Sequence, residues 1–440
     1  MGGILPRLLT RLKNSSFAKN ILIVMSGTAV AQAIGFALSP VISRLFTPSD
    51  FGVFGTFSVI AGIIAAVVTL EYGQAIMLPQ KKEEALNLLV FAFGCTLAIS
   101  FLVLVFCMVA PTRINALMKT QGFWPLAFLV LATLAAGLNE ACQAWSIRTK
   151  AFKHTSVSQV IRSLSSSGLR IGFGYFKAGA TGLIISGILA NIFASLNLLR
   201  VVLPDLSAFR NRLRWREMKR LASEYRDFPI YSASQSLINA LSSGLPVLLL
   251  TRYYGIAVAG AYAFGGSVLQ IPMGFVLTAL RQVLFQKACE NQHEGKRVSA
   301  LYIKTTAGLF ATILVPSAVL VIWGPQLFSW VFGARWLFAG KLSQSLIIWL
   351  AVSFCNLPAV LFARIIRIQR FVFFYDIALL IMRSSALVLG GLFLSAQKTV
   401  LLFALVGSAM NAFLIFFVGR AVMKKEGSVD WENVREAMSL

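Results

Sequence analysis

The chain has 440 residues, of which 58% are hydrophobic and 13% charged, and its mean hydropathy is +0.78. Soluble domains carry about 25% charge, so this chain lacks the polar surface that water-facing domains need. Forty Lys and Arg against 16 Asp and Glu give a formal charge of +24; in a polar chain that excess would point to nucleic acid, but here its placement assigns it to membrane topology and excludes a nucleic-acid partner.

Twelve apolar stretches follow in chain order, near residues 20–43, 52–78, 86–110, 123–147, 156–176, 180–203, 229–251, 256–280, 299–323, 340–363, 372–394 and 399–420. Each is long enough to cross a hydrocarbon core of about 30 Å as a helix. A chain in lipid must satisfy its backbone internally, which favours helices over open strands. The run from Leu97 to Ala110 has one polar residue and no alternation, against a β-barrel. The expected fold is an all-α integral membrane protein of about 12 transmembrane helices. Residues 1–20 are basic, but the apolar run after them is too long for a cleaved signal core. The first span is therefore expected to be retained.

Charge in the connections sets the orientation. The amino end, the even-numbered connections and the carboxyl end hold 28 Lys and Arg, among them Arg7, Arg11, Lys13 and Lys19, against 8 in the odd-numbered connections. The positive-inside rule then puts both termini in the cytoplasm. Anionic headgroups of the membrane lipids add a further attraction. Cys95, Cys107, Cys142, Cys289 and Cys355 are odd in number and sit in spans or on the cytoplasmic side, so no disulfide is expected. His154 and His293 lack neighbours at ligand spacing and read as solvated loop residues, so no metal is expected.

Shifting the chain by 208 residues aligns Ser26 with Ser234, Arg44 with Arg252, Phe46 with Tyr254, Gly52 with Gly260, and Phe54 with Tyr262. Each half has six spans, so the repeat is parallel, with its pseudo-twofold axis along the membrane normal. The expected organisation is an N-terminal lobe over 1–203, a cytoplasmic interfacial linker over 204–228 and a C-terminal lobe over 229–440, with a central cavity. Two short apolar stripes, Leu206/Phe209/Leu213 and Met218/Leu221/Tyr225, suit an interfacial helix pair in the linker; a solvated linker is the alternative.

Charges inside spans cost about 2.5–3.5 kcal/mol each, so they face a wet interior or a partner. Seven qualify: Glu71, Glu140, Arg162, Arg170, Lys304, Asp376 and Arg383. Gln159, Arg162, Ser166 and Arg170 fall within an arc of about 80° on the fifth span, a polar cationic stripe. The fifth span of each lobe carries a mid-span arginine, Arg170 and Arg383. Either these line the cavity and attract an anionic substrate, since a guanidinium makes bidentate bonds to phosphate, or they form Arg–Glu pairs that lock helices. Glu71, Glu140 and Asp376 are candidate protonatable coupling carboxylates; Glu71 and Glu140 share a depth with Arg162, which alternatively neutralises one of them. Lys304 lies near a helix end and can snorkel. Gly168 and Gly172 form a G-x-x-x-G pair of the close-packing type. No P-loop, nucleophile elbow or ligand cluster occurs, so neither catalytic residues nor a cofactor are expected.

Two stretches resemble a known family. Ser43-Arg-Leu-Phe-Thr-Pro-Ser-Asp-Phe-Gly-Val-Phe54 is similar to the segment joining the first two spans of bacterial polysaccharide transporters. Tyr225-Arg-Asp-Phe-Pro-Ile-Tyr231, with Leu245-Pro-Val-Leu-Leu-Leu250 and Leu269-Gln-Ile-Pro272, resembles the start of their second half. The family is the oligosaccharide (O-unit) flippases of the multidrug/oligosaccharidyl-lipid/polysaccharide exporter superfamily. The resemblance implies a non-enzymatic flippase in the bacterial inner membrane. Its implied substrate is an undecaprenyl-diphosphate-linked oligosaccharide, moved by alternating access without ATP for O-antigen, capsule or exopolysaccharide (lipopolysaccharide-type) assembly, with polysaccharide polymerase and chain-length proteins as partners. Arg44, Gly52 and Pro272 match its pattern and look architectural. An ion-coupled multidrug antiporter of the same superfamily is the nearest alternative, and a membrane-embedded polymerase or ligase the next. The latter generally has a large outer loop, whereas the longest here is expected over about 323–340.

Overall fold

The computed structural model describes residues 16–209, 212–293, 298–366 and 368–428. Expectations resting on Arg7, Arg11, Lys13, Arg210, Lys296, Arg297, Arg367 and Arg435, and on the side chains of Lys19, Cys289, His293 and Lys425, lie outside the described residues. The described residues are helical and contain no strand. In chain order the helices are α1 Ser16–Leu45, α2 Pro48–Ala65, α3 Tyr72–Ala75, α4 Lys82–Val109, α5 Pro111–Met118, α6 Trp124–Arg148, α7 Phe152–Tyr175, α8 Gly179–Ala208 and α9 Trp215–Glu224. They continue with α10 Ala233–Tyr254, α11 Ile256–His293, α12 Val298–Phe332, α13 Leu337–Cys355, α14 Leu357–Ile365, α15 Gln369–Phe393 and α16 Ala396–Ser428.

Eleven helical segments among the described residues are long and apolar enough to cross a membrane. They match eleven of the twelve expected spans. The twelfth, α7, has 24 residues, enough for about 36 Å at 1.5 Å per residue, but its serines and arginines make it too polar to stand with the others. α4 shows why the protein is a multi-pass membrane protein: Leu97, Phe101, Leu102, Phe106 and Met108 are all exposed, a face that only lipid can cover.

Two compact units divide the chain, Met1–Thr251 and Arg252–Leu440. In the first, Phe57 of α2, Cys107 of α4, Ile114 and Met118 of α5, Leu126 and Leu129 of α6 and Ile184 of α8 form one buried cluster. A second cluster gathers Tyr72, Leu86, Leu89, Trp145, Leu198, Val202 and Leu221 at the other end of the helices. In the second unit Phe264 meets Phe332 edge-on at 5.1 Å and tilts over the fully buried Trp336 at 4.1 Å.

The second span is not one helix. α2 stops at Ala65, and the chain turns through residues 66–71 before the single turn of α3. Val67, Val68 and Thr69 are β-branched and weaken helix there, and Leu70 and Glu71 take left-handed φ values of 50° and 60°. The tenth span is likewise split at Asn356, whose Nδ2 donates to Asn411 Oδ1 at 2.8 Å, with Pro358 opening α14. The outer connection expected at 323–340 is also shorter, because α12 runs on to Phe332 and a 3₁₀ turn over Ala334–Trp336 leads straight into α13. The longer connection is 110–123, which contains α5.

The linker's apolar stripes turn inward. Leu206, Phe209, Leu213, Leu221 and Tyr225 pack on the Trp145 cluster of the first unit. Leu206 belongs to the end of α8, while α9 carries Met218 and Leu221. Ion pairs fasten the same region: Lys82 to Asp205 at 2.6 Å, Arg212 to Glu83, and Arg220 to Glu84, Glu217 and Glu224 at 3.4, 2.9 and 3.0 Å. The hydrogen bond that Arg220 donates to Glu217, with the fields of Glu217, Glu224 and Glu84, raises the Arg220 pKa above its ordinary value.

Close helix contacts fall on glycines other than the predicted pair. A Cβ on Gly168 or Gly172 meets nothing within 4 Å, which corrects the G-x-x-x-G expectation. Those residues face open space on the exposed side of α7. Tight crossings include Gly27 against Ser156, Gly137 against Thr96, and Gly340, where a Cβ would lie 2.6 Å from the Gly324 carbonyl oxygen and the Pro325 Cα. Backbone cannot move aside as a side chain can. Gly340→Val is therefore expected to destabilise the protein by about 1–3 kcal/mol through overpacking, whereas Gly168→Ala should stay within about 0.5 kcal/mol. Thermal unfolding of the two purified variants in detergent checks both; equal melting temperatures would contradict the packing assignment.

Candidate functional site

A cavity of about 710 Å³ lies inside the first unit, among α1, α2, α6, α7 and α8. That volume is in the usual range for ligand sites, about 300–1,000 Å³. The polar face of α7 forms one wall through Gln159, Arg162, Ser163, Ser166, Ser167 and Arg170. Thr28 and Gln32 of α1, Ser58 of α2, Asn139 and Gln143 of α6 and Asn191 of α8 add hydroxyl and carboxamide groups. No Asp or Glu is among the lining residues.

α1 holds that wall in place. Thr28 Oγ1 donates to Gln159 Oε1, and Ser163 Oγ donates to the Ala31 carbonyl. Gly27 permits the approach by leaving room for Ser156. On the other side Ser158 Oγ donates to the Ala194 carbonyl at 3.0 Å and accepts from Asn197 Nδ2 at 2.8 Å. Gln159, Ser158 and Ser163 therefore fix α7 between α1 and α8, while Arg162, Ser166 and Arg170 remain directed at the cavity.

The two cavity arginines differ. α7 begins at Phe152, earlier than its apolar pattern indicates, so Arg162 sits about 15 Å along the helix and Arg170 about 27 Å. Arg162 is thus nearest the midpoint, and Arg170 lies toward the far end. Arg162 is exposed to the cavity. The Arg170 guanidinium covers the Phe54 ring at 4.9 Å, and its Nε is buried with no hydrogen-bond partner. Among the described residues, no ion pair within 4 Å joins either arginine to a carboxylate. Helix-locking Arg–Glu pairs are thus not what holds them.

Arg383 has different surroundings. In the second unit its guanidinium lies 3.9 Å from the Trp349 ring centroid and 4.1 Å from that of Phe403, an aromatic cage. Tyr262, Phe54's counterpart in the repeat, packs edge-on against Phe403 at 6.3 Å and lies in the field of Arg383. Each fifth span thus presents its arginine to an aromatic system. Asp376, on the same helix, is exposed and makes no ion pair with Arg383 among the described residues.

The remaining two carboxylates meet at the broken second span. Glu140 Oε1 accepts from Thr69 Oγ1 at 2.7 Å. Glu71 is buried, with Oε2 accepting from Gln74 Nε2 at 2.6 Å and Oε1 from the Ser236 hydroxyl of α10. Arg148, which the sequence reading left among the connection charges, clamps the same segment by donating to the carbonyls of Ile76 at 2.6 Å and Pro79 at 2.5 Å. Arg162 pairs with neither carboxylate. Asn139, Gln143 and Gln32 were likewise missed as lining residues. The spacing of Asn139 from Gln143, and of Thr28 from Gln32, puts each pair on one helix face, a signal that could have found them.

An uncompensated pair of guanidinium groups makes the cavity attract anions. In a cysteine-free background, Ser166→Cys is expected to react faster with an anionic methanethiosulfonate than with a cationic one. The preference should fall at least about tenfold when Arg162 and Arg170 are both replaced by Gln, the factor equivalent to 1.4 kcal/mol. Equal labelling rates in the parent protein would exclude a cationic cavity.

The family profile described as "Polysaccharide biosynthesis protein" matches residues 41–340. The succinoglycan biosynthesis transport protein ExoT of Rhizobium meliloti (strain 1021) is 21% identical over 308 residues. That match covers 69% of this chain and 60% of ExoT, so the chain spans about 60% of the length of that curated relative. Among solved structures, the lipid II flippase MurJ in an inward closed conformation aligns with a TM-score of 0.72 at 10% identity, covering 90% of this chain and 87% of that one. A multidrug resistance MATE family transporter of the MOP superfamily, inward-facing, aligns with a TM-score of 0.69 at 13% identity, covering 90% and 96%. At such identities the likeness is one of fold. These relatives are transporters and flippases, not catalysts.

Proposed function

The chain belongs to the polysaccharide biosynthesis protein family, and on that premise we propose that it flips a lipid-linked oligosaccharide diphosphate across the bacterial inner membrane by alternating access. The observation that carries this reading is a membrane-embedded cavity with two guanidinium groups, many hydroxyl and carboxamide groups and no carboxylate in its lining. A polyprenyl-diphosphate glycan has the complementary chemistry. Its diphosphate accepts charge-assisted hydrogen bonds from arginine, and its sugar hydroxyls exchange hydrogen bonds with Asn, Gln and Ser. A cationic drug would be repelled by the same lining, which argues against a multidrug antiporter. The 28:8 charge asymmetry supports cytoplasmic termini. Two six-helix lobes over 1–203 and 229–440, joined by the segment 204–228, remain the organisation we propose. Assembly of O-antigen, capsule or exopolysaccharide, alongside a polymerase and chain-length proteins, is the cellular setting of this reading.

Energy coupling is assigned to Glu71 and Glu140. Glu71 lies in the break between α2 and α4 and Glu140 on α6 beside it; Glu140 accepts from Thr69 of the break, and Glu71 accepts from Gln74 of α3 and Ser236 of α10. Uptake of a proton or small cation by these carboxylates changes the acceptor that Ser236 and Thr69 see, and so biases the break between conformations.

Deleting the gene should cause complete lipid-linked units to accumulate on the cytoplasmic side with loss of surface glycan. Normal surface glycan in a strain without a redundant flippase defeats the assignment. Arg170→Gln should lower complementation at least about tenfold, the scale of a lost hydrogen bond to a charged group, at unchanged membrane abundance. Glu140→Gln and Glu71→Gln should abolish gradient-driven flipping in proteoliposomes while substrate binding persists; gradient-dependent flipping at the parent rate would remove them from coupling.

A further inference from the structure

The outward side of α9 combines an exposed tryptophan with cations that no carboxylate answers. Met218 and Leu221 turn the apolar edge of the helix inward. Trp215, 63% exposed, is left outside with the exposed Arg214, Arg216 and Lys219 around it. The nearby acids are taken by Arg220, which pairs with Glu84, Glu217 and Glu224. Arg214, Arg216 and Lys219 make no ion pair among the described residues. The Lys219 ammonium lies 5.6 Å from the Trp215 ring centroid.

The height of this patch follows from α4. That helix has 28 residues, about 42 Å at 1.5 Å per residue, against a hydrocarbon core of about 30 Å. Its far end stays apolar and exposed through Phe106, Met108 and Val109, so the excess length falls at the Lys82 end. Phe91 lies about 13 Å in from that end, level with the boundary between hydrocarbon and headgroups. It continues the exposed ridge of Gly94, Ala98 and Leu102 on one face of α4, and Trp215 packs beside it with ring centroids 6.5 Å apart. The buried Asn87 fixes that contact, its Oδ1 accepting from the Arg214 backbone N–H at 3.1 Å and its Nδ2 donating to the Arg212 carbonyl at 3.4 Å. An indole at this depth is at the level that tryptophan favours in membranes.

Independently of the flippase reading, we propose that Arg214, Trp215, Arg216 and Lys219 form a binding site for the headgroup of an anionic phospholipid in the leaflet that faces the linker, and that the bound lipid anchors α9. The two arginines supply planar forks for the headgroup phosphate, Lys219 adds a point charge, and the indole covers the glycerol region beside the Phe91 ridge. A zwitterionic headgroup brings its own cation into this cluster and is disfavoured. An acidic soluble protein would match the charge, but not an indole set at the end of a lipid-facing ridge.

The test titrates the full chain in detergent with phosphatidylglycerol or phosphatidylcholine and counts bound lipid by native mass spectrometry. Phosphatidylglycerol should bind the parent chain more tightly, and the triple variant Arg214→Gln/Arg216→Gln/Lys219→Gln should lose at least about tenfold of that affinity. A control with the same loss of charge, Arg113→Gln/Lys119→Gln/Lys177→Gln, removes exposed cations of the odd-numbered connections and should stay within about twofold of the parent. Trp215→Ala should also weaken binding, and Trp215→Phe should restore part of it. In nanodiscs, amide exchange over residues 215–224 should be slower with phosphatidylglycerol than with phosphatidylcholine alone, in the parent and not in the first triple variant. Monodispersity on size exclusion shows that each variant is folded. Equal losses in the two triple variants mean diffuse attraction to the whole charge and overturn the site, as does equal binding of the two lipids. Protection of α9 by added polyglutamate and not by phosphatidylglycerol overturns it in favour of an acidic soluble partner.

Discussion

A guanidinium in the hydrocarbon region has few ways to keep its charge: a carboxylate, an aromatic face, water or a ligand. This protein uses aromatic faces and a wet cavity. Arg170 covers Phe54 and Arg383 is caged by Trp349 and Phe403, each on the fifth span of its half. The arrangement has consequences for the rest of the first unit. α7 becomes too polar to face lipid on all sides, so α1 and α8 must enclose it, and the short bonds from Thr28 and Ser163 and the contact at Gly27 follow from that need. The cavity exists because the polar face of α7 is held apart from α2 and α6 instead of being packed flat against them.

The carboxylates are kept out of that cavity. Glu71 and Glu140 sit at the interrupted second span, each with hydroxyl or amide donors and, among the described residues, without an arginine partner within ion-pair distance. Separating acids from bases preserves the cavity's positive field. The break itself is expensive, with two non-glycine residues in left-handed conformation, each costing about 1 kcal/mol or more. Arg148 offsets part of that by capping two of the carbonyls that the missing helix leaves unsatisfied.

Beyond the spans, the cationic segment after α8 is bound to protein rather than left as a free basic arm. Its apolar positions pack on the Trp145 cluster, and two of its arginines form ion pairs, Arg212 with Glu83 and Arg220 with Glu84, Glu217 and Glu224. Part of the +24 charge is thus locally compensated. The broken second span and this segment meet directly, through the Tyr72 hydroxyl donating to the Ala222 carbonyl at 2.9 Å, so movement at the break is mechanically linked to α9.

Apolar length and composition were enough to determine the helical membrane fold, since about 20 consecutive apolar residues have no other stable arrangement in lipid. The 100° periodicity was enough to put Gln159, Arg162, Ser166 and Arg170 on one face of one helix, and their cavity is where that face points. The partners of those charges were not legible. Arg383 against Trp349 and Phe403, Glu140 against Thr69, and the emptiness beside Gly168 all depend on which helices cross and at what height, and a sequence read one helix at a time carries no such distances. The break after Ala65 was hidden for a similar reason: residues 52–78 are apolar enough for one span, and the β-branched run Val67-Val68-Thr69 only weakens helix there, while tertiary bonds with Arg148, Ser236 and Glu140 hold the interrupted path.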